Sequence, residues 1–341
     1  MRVLLTGHDG YIGSVAVPFL LKSGFDVTGL DCFYFHECLL GSEGPSIPVI
    51  RKDIRDLTAD DVRGFDAVVH LAALSNDPIG NLNEGWTKDI NTRATVRLAE
   101  LAKSAGCRRF LFSSSCIMYG MSDTEWVNET VELAPQTEYA RSKVECERGL
   151  QKLADDSFSP AYLRNGTVYG LSPRMRLDTV LNNFVSDAVT KGKVTVFSDG
   201  KPWRPVVHVY DLVRTFEVYL RAPLEVIHNQ AFNNGANALN YQIGRLAEVA
   251  VAAAPGAELE ILAKPGADQR TYKADFSKFA DTFPNFVFDW TPETGAKELA
   301  EAFARVKLSE DDIESGRYVR LRWLNHLMDS NRLDDQLRWS N

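Results

Sequence analysis

An α/β fold, a doubly wound parallel sheet joined to a smaller α/β lobe, is predicted for this chain by three observations. Short apolar runs alternate with helical patterns through the first half. A glycine triplet separates the first apolar run from the first helical pattern. After about residue 170 the alternation loosens into loops carrying Pro and Arg. Strands that alternate with helices pair in parallel, and right-handed crossovers bring their C-terminal ends to one edge.

The strands fall at 3–6, 26–30, 47–50, 67–71, 109–113 and 161–164, each a short, largely apolar run. Apolar periodicity places helices between them at 11–23, 59–63, 86–105 and 139–154. Further on, helices are predicted at 178–190, 210–220, 241–253 and 293–304, with short strands at 194–197 and 258–262. Segments 206–209 and 231–234 read as strands returning to the first unit, so the two lobes interleave. The division is 1–170 for the sheet domain with returning segments near 206–234, 171–305 for the smaller lobe, and 306–341 for the tail. The tail carries apolar residues at helical spacing from 309 to 339 and reads as a helix covering a surface.

The chain has 341 residues, 45% of them hydrophobic and 25% charged, which is the composition of an ordinary globular protein. No apolar stretch approaches the ~18 residues that span a bilayer, and a strand begins almost at Met1, so neither a membrane span nor a signal peptide is expected. A net charge of −8 without a basic run argues against nucleic-acid or membrane-surface partners. The five cysteines are odd in number and form no C-x-x-C pair, which points to reduced thiols, a cytoplasmic location and no metal site.

Residues Gly7-His8-Asp9-Gly10-Tyr11-Ile12-Gly13 follow the first strand and run into the first helix. Glycines at such a turn let the backbone approach a pyrophosphate, which the N–H groups and dipole of the next helix hold. The second strand ends on Asp31, 18 residues beyond Gly13, where an acid accepts hydrogen bonds from ribose hydroxyls. Cys32-Phe33-Tyr34 offers no cation for a 2′-phosphate, so NAD is expected rather than NADP.

A serine run, Ser113-Ser114-Ser115, leaves a strand, and 24 residues past Ser115 comes Tyr139-Ala140-Arg141-Ser142-Lys143. Tyr139 and Lys143, four apart, share one helix face. An ammonium beside a phenol favours phenolate and lowers its pKa, giving a general base, while Ser115 orients a substrate oxygen. That trio suits removal of a hydroxyl proton as hydride leaves the same carbon.

With these motifs in place, the chain resembles the extended short-chain dehydrogenase/reductases, specifically the NAD-dependent nucleotide-sugar epimerase/dehydratase family. The likeness covers about residues 1–305 and implies a Rossmann-type sheet domain with a substrate-binding lobe. It is carried by the glycine turn, Asp31, Asp53-Ile54, His70-Leu71-Ala72-Ala73, Asn91, residues 113–120, Tyr139 to Lys143, Val168-Tyr169-Gly170, Asn182-Asn183 and Arg204 with His208-Val209-Tyr210-Asp211. The resemblance implies that Asp53 and Ile54 contact adenine and that Leu71, Ala72 and Ala73 line the cofactor phosphates. It also implies that Lys143 holds the nicotinamide ribose and that Asn91 lies on the cofactor side. For a nucleotide-diphosphate sugar substrate it implies Arg204 and Arg270 at the diphosphate, with the Asn182-Asn183 pair, Val196 and Phe197 at phosphate and base. The loop 74–78, with Ser75, and the segment 172–176 are expected to shape the sugar pocket. The helices 86–105 and 139–154 resemble those that pair in a homodimer.

Which reaction follows depends on the residues after Ser115. The family's 4,6-dehydratases carry an Asp-Glu pair there, whereas this chain has Cys116 and Ile117, neither able to serve as such an acid and base. Cys116 stands one place off from the cysteine of the family's C3/C5 epimerases, a shift that turns a side chain to the opposite face of an extended segment. Epimerisation at C4 is therefore expected, with a ketoreductase or dehydrogenase, a Cys116-dependent C3/C5 epimerase and a non-catalytic NAD-binding sensor as alternatives. One departure concerns the loop after 164, where Thr167 holds the place usual for Asn, and Asn165 lies two residues earlier.

Overall fold

The computed structural model describes residues 1–75, 77–121, 125–264 and 271–340. Its centre is a seven-stranded sheet of β1 (Arg2–Thr6), β2 (Asp26–Asp31), β3 (Val49–Arg51), β4 (Ala67–His70), β5 (Arg109–Ser115), β6 (Ser159–Asn165) and β7 (Gln230–Asn234). The spatial order is β7-β6-β5-β4-β1-β2-β3, and every pairing is parallel. The chain winds outward from β1 to β3 and then restarts at β4 on the other side of β1. Ligands bind at such a switch point, beyond the carboxyl ends of the strands.

Alternation along the strands feeds two cores. Leu4, Leu30, Val68, Phe110, Phe112 and Tyr162 pack on one face against Leu98, Ala99 and Ala102 of the helix Ala94–Ser104. Val3, Leu5, Val27, Ala67, Val69, Leu111 and Ala161 pack on the other, against the helices Gly13–Lys22 and Val209–Arg221. A parallel sheet covered on both faces needs apolar side chains in both directions, which is why these strands are near-continuous apolar runs.

The smaller lobe has its own core around Leu181, Val185, Leu246, Leu299 and Phe303, from the helices Val180–Lys191, Ile243–Ala253 and Pro292–Val306. Lys193–Val196 and Glu258–Ile261 pair in parallel beneath them. Of the two segments read as returning to the sheet, Gln230–Asn234 is its edge strand. Trp203–His208 instead pairs with Thr167–Tyr169 and Asn240–Gln242 in a separate three-stranded sheet.

The predicted helix 59–63 is a 3₁₀ turn, Ala59–Val62. The one predicted at 86–105 opens with Thr87–Arg93 wound as a π-helix before Ala94–Ser104. In the tail, one long helix was expected, but two short ones form, Glu310–Glu314 and Arg320–Asp329. Gly316 breaks the run with φ of 75°, and a Cβ there would meet Arg322 Cβ at 2.6 Å. Trp323, Leu324, Leu327, Leu333 and Leu337 of the tail join the core formed by Tyr34, Cys38, Ile54 and Leu57. The tail thus covers the β2–β3 end of the sheet.

Candidate active site

A cavity of about 710 Å³ opens at the carboxyl edge of the strands and reaches under the smaller lobe. Gly7, Gly10, Tyr11, Ile12, Gly13, Asp31, Asp53, Ile54, Leu71, Ala72 and Ala73 line one part of it. Ser115, Tyr139, Lys143, Ser75, Asn165, Thr167, Asn183, Phe197 and Arg204 line the rest. Three sequence candidates stand apart: Arg270 lies outside the described residues, and Asn91 and Asn182 are not among the residues lining the cavity.

The glycine turn is built by steric necessity. Gly7 has φ of 73°, and a Cβ on it would sit 2.8 Å from the Ala72 nitrogen. A Cβ on Gly13 would lie 2.1 Å from the Gly7 carbonyl oxygen. Gly7 donates to the Leu30 carbonyl at 2.8 Å and Gly10 to that of Gly7 at 3.1 Å, which folds the turn onto the tip of β2. There Asp31 accepts from the Asp9 and Phe33 amides at 3.0 and 2.8 Å. Burial nonetheless holds its carboxyl above the ordinary range. The next loop is set by Thr6, whose Oγ1 accepts from the Leu71 and Ala72 amides at 3.2 and 3.3 Å and bonds His70 Nδ1 at 2.7 Å. His70 is buried, its pKa pushed down to about 3, so it stays neutral and structural. Asp53 caps a short turn and is ion-paired with Arg55 at 2.7 Å and with Arg338 of the tail at 3.3 Å.

Asn91 braces this region from behind. Its Oδ1 accepts from the Leu74 amide at 2.8 Å and its Nδ2 donates to the Leu74 carbonyl at 3.0 Å, so both ends of the amide are used on one backbone position. Asn182 behaves likewise: Nδ2 donates to the Tyr11 hydroxyl at 3.0 Å and Oδ1 accepts from the Gly170 amide at 2.9 Å, latching the glycine turn to the lobe. Of the Asn pair only Asn183 faces the cavity.

Tyr139 and Lys143 sit on the helix Glu138–Gln151, whose N-cap Thr137 accepts from the Ala140 amide. Ser115 stands beside the Tyr139 phenol and favours its ionised form, while its Oγ accepts from the Ile117 amide at 3.3 Å. Lys143 Nζ donates to the Ser113 carbonyl at 2.6 Å and lies 5.7 Å from the Tyr139 ring centroid. The expected lowering of the phenol pKa by Lys143 is not what the structure gives: burial raises the phenol, and the opposing pull comes from Arg176 and Ser115. Lys143 is directed at a carbonyl rather than at the phenolic oxygen. Its own pKa is pushed down to about 8 by burial.

Arg176, from the segment expected to shape the sugar pocket, is a lining residue whose weight the sequence did not reveal. Its Nε donates to Asp178 at 2.8 Å and its Nη1 to Ser75 Oγ at 3.2 Å. Asp77, also lining, accepts from Thr137 Oγ1 at 2.6 Å. After Ser115 the wall is Ile117; Cys116 is absent from the lining and is buried with its Sγ on the Arg164 carbonyl at 3.1 Å, its thiol pKa raised by burial. Phe197 is 58% exposed at the outer rim, with Lys264 5.1 Å from its ring centroid. Asn165 is drawn inward, donating to Ser113 Oγ at 3.0 Å and accepting from Asn234 at 2.9 Å.

Open backbone at a glycine turn, an acid at the second strand tip and a Tyr–Lys helix face define a nucleotide-binding enzyme of the short-chain dehydrogenase/reductase type. Residues 3–235 match the NAD dependent epimerase/dehydratase family, and the chain belongs to it. It is 30% identical over 322 residues to a UDP-glucose 4-epimerase of Mycolicibacterium smegmatis, covering 89% of this chain and 97% of that one. It is 29% identical over 333 residues to UDP-glucuronic acid decarboxylase 1 of Arabidopsis thaliana, 92% of this chain and 72% of the relative. Among solved structures, MoeE5 in complex with UDP-glucuronic acid and NAD is similar with a TM-score of 0.78 and 25% identity, over 89% of this chain and 99% of that one.

Proposed function

We propose that this protein is an NAD-dependent nucleotide-sugar epimerase that inverts C4 through a transient 4-keto sugar. The observation that carries the reading is the wall after Ser115. Beside a Ser115–Tyr139 pair suited to proton transfer, the positions that follow present only Ile117 to the cavity, with Cys116 turned away. A ketone formed there meets no acid-base pair at those positions, and return of hydride is what remains.

NAD fits the turn of Gly7, Gly10 and Gly13 at its pyrophosphate, Asp31 at its ribose and Asp53 and Ile54 at its adenine, and when bound it supplies the acceptor and donor of hydride. Tyr139 takes the C4 hydroxyl proton, Ser115 holds that oxygen, and Lys143 fixes the Ser113 carbonyl and the neighbouring ribose. Rotation of the keto sugar then exposes its other face, and Tyr139 returns the proton after hydride transfer, leaving no net oxidation. Asn183, Thr167, Arg204 and Phe197 hold the substrate's nucleotide diphosphate. The chain acts as a homodimer in the cytoplasm.

Arg176 favours a second reading. A largely buried guanidinium beside Ser75 and the phenol suits a sugar bearing a carboxylate. A 4-keto uronate formed there would lose CO₂ readily, so decarboxylation competes with inversion. Incubating the protein with UDP-glucose and UDP-glucuronic acid, with and without added NAD, separates the readings. Inversion leaves substrate mass unchanged and NADH flat; loss of CO₂, loss of water or stoichiometric NADH would overturn it.

A further inference from the structure

The tail, which lies beyond the 3–235 stretch matching the family, delivers one charged side chain to the cavity. Arg320 opens the helix Arg320–Asp329, is 3% exposed and lines the same cavity as the glycine turn. Its Nη2 donates to the Arg174 carbonyl at 2.8 Å, and its guanidinium carbon lies 4.4 Å from the Phe35 ring centroid. Its Nη1 has no hydrogen-bond partner. The carboxylates nearby are engaged by other arginines: Asp178 with Arg176 at 2.8 Å and Asp9 with Arg174 at 2.7 Å. Burial depresses the guanidinium's pKa, and the charge of Arg176 adds to this. A buried cation with an unused donor is unfavourable unless an anion completes it.

We propose that Arg320 is an anion-recognition residue donated by the tail, its Nη1 directed to the diphosphate of the bound dinucleotide. The proposal rests on the reading that the chain binds NAD. Position selects the dinucleotide over the sugar nucleotide. Arg320 is held by Phe35, four residues past Asp31, and by Arg174, which is tied to Asp9 inside the glycine turn at 2.9 Å. Arg176 serves the sugar end through Ser75. The glycine turn offers backbone N–H groups to a phosphate from one side, and Arg320 offers a charged fork from the tail.

Titration of ADP-ribose, adenosine and UDP into the full chain and its Arg320→Gln variant tests this. The variant should bind ADP-ribose roughly ten- to a hundredfold more weakly, as expected for a lost charge-assisted bond to phosphate. Adenosine and UDP should bind as before, and the melting temperature without ligand should hold or rise, since an uncompensated buried charge has gone. Equal ADP-ribose affinity in both proteins overturns the proposal. A loss confined to UDP overturns it too, by giving Arg320 to the substrate. Should Arg320→Gln fail to fold, Arg320→Lys keeps the charge without the fork; weaker ADP-ribose binding again supports the proposal and unchanged binding refutes it. A wild-type chain that bound no ADP-ribose would instead remove the cofactor reading itself.

Discussion

Tyr139 and Lys143 share a helix face but meet different surroundings, and the difference sets what each contributes. The phenol is held protonated by burial and eased toward phenolate by Arg176 and Ser115, whereas Lys143 is positioned on the Ser113 carbonyl. Tyr139→Phe should therefore lower turnover roughly 10²- to 10⁴-fold, the range of a lost general acid-base group. Its affinity for ADP-ribose, measured by titration calorimetry, should not change. Lys143 titrates near 8. If its charged form supports the reaction, the rate falls as pH rises through about 8, and Lys143→Arg, which stays charged, removes that limb even at reduced activity. The stability effect has the opposite sign. The folded pKa lies below the unfolded one, so between pH 8 and the ordinary lysine value the unfolded chain holds the extra proton and raising pH favours the fold. A pH–rate profile with a flat alkaline side in the wild type would remove Lys143 from the account.

At the scale of elements, the site is made of turns whose backbone is fixed by side chains arriving from elsewhere. Asn91 emerges from the π-wound segment Thr87–Arg93 and grips both backbone groups of Leu74. Asn91→Ala should cost about 1–3 kcal/mol through two unpaired backbone groups, read as a lower melting temperature with ADP-ribose affinity retained. A variant of unchanged stability that lost the cofactor would return Asn91 to the ligand side. What was legible in the sequence divides along the same line. The glycine turn, Asp31 and the Tyr139–Lys143 face are encoded by short spacings, and the structure sets them around one cavity. Arg320 was not legible as a cavity residue, and Arg176 only as part of the segment 172–176, because an arginine in a loop or on an amphipathic helix carries no local mark of what it will face. The break at Gly316 and the π-winding were missed for a related reason: apolar periodicity reports which face is buried, not how tightly the backbone is wound.

For the whole molecule, the tail closes the β2–β3 end of the cavity as a lid made of core. Tyr34 donates its hydroxyl to the Leu337 carbonyl, Trp323 donates to Tyr34 at 2.8 Å, Trp339 to Cys32 at 2.6 Å and Arg55 to Gln336 at 2.7 Å. No helix among the described residues is long and apolar enough to cross a membrane. The proposed dimer would pair the helices Ala94–Ser104 and Glu138–Gln151, which carry Arg97, Glu100, Arg141, Glu145 and Arg148, all exposed. Such exposed charges suit an interface of ion pairs that weakens with salt. Sedimentation should accordingly give twice the 38.1 kDa chain mass at low salt; a 38.1 kDa species at all concentrations would rule the dimer out.

Hydride leaving and returning at one carbon is the central claim, and an isotope label reads it directly. With UDP-glucose deuterated at C4 and the purified protein, mass spectrometry and NMR of the product should find the C4 epimer with deuterium still at C4 and no accumulated NADH. Deuterium lost to solvent, moved to another carbon or trapped in NADH would contradict it.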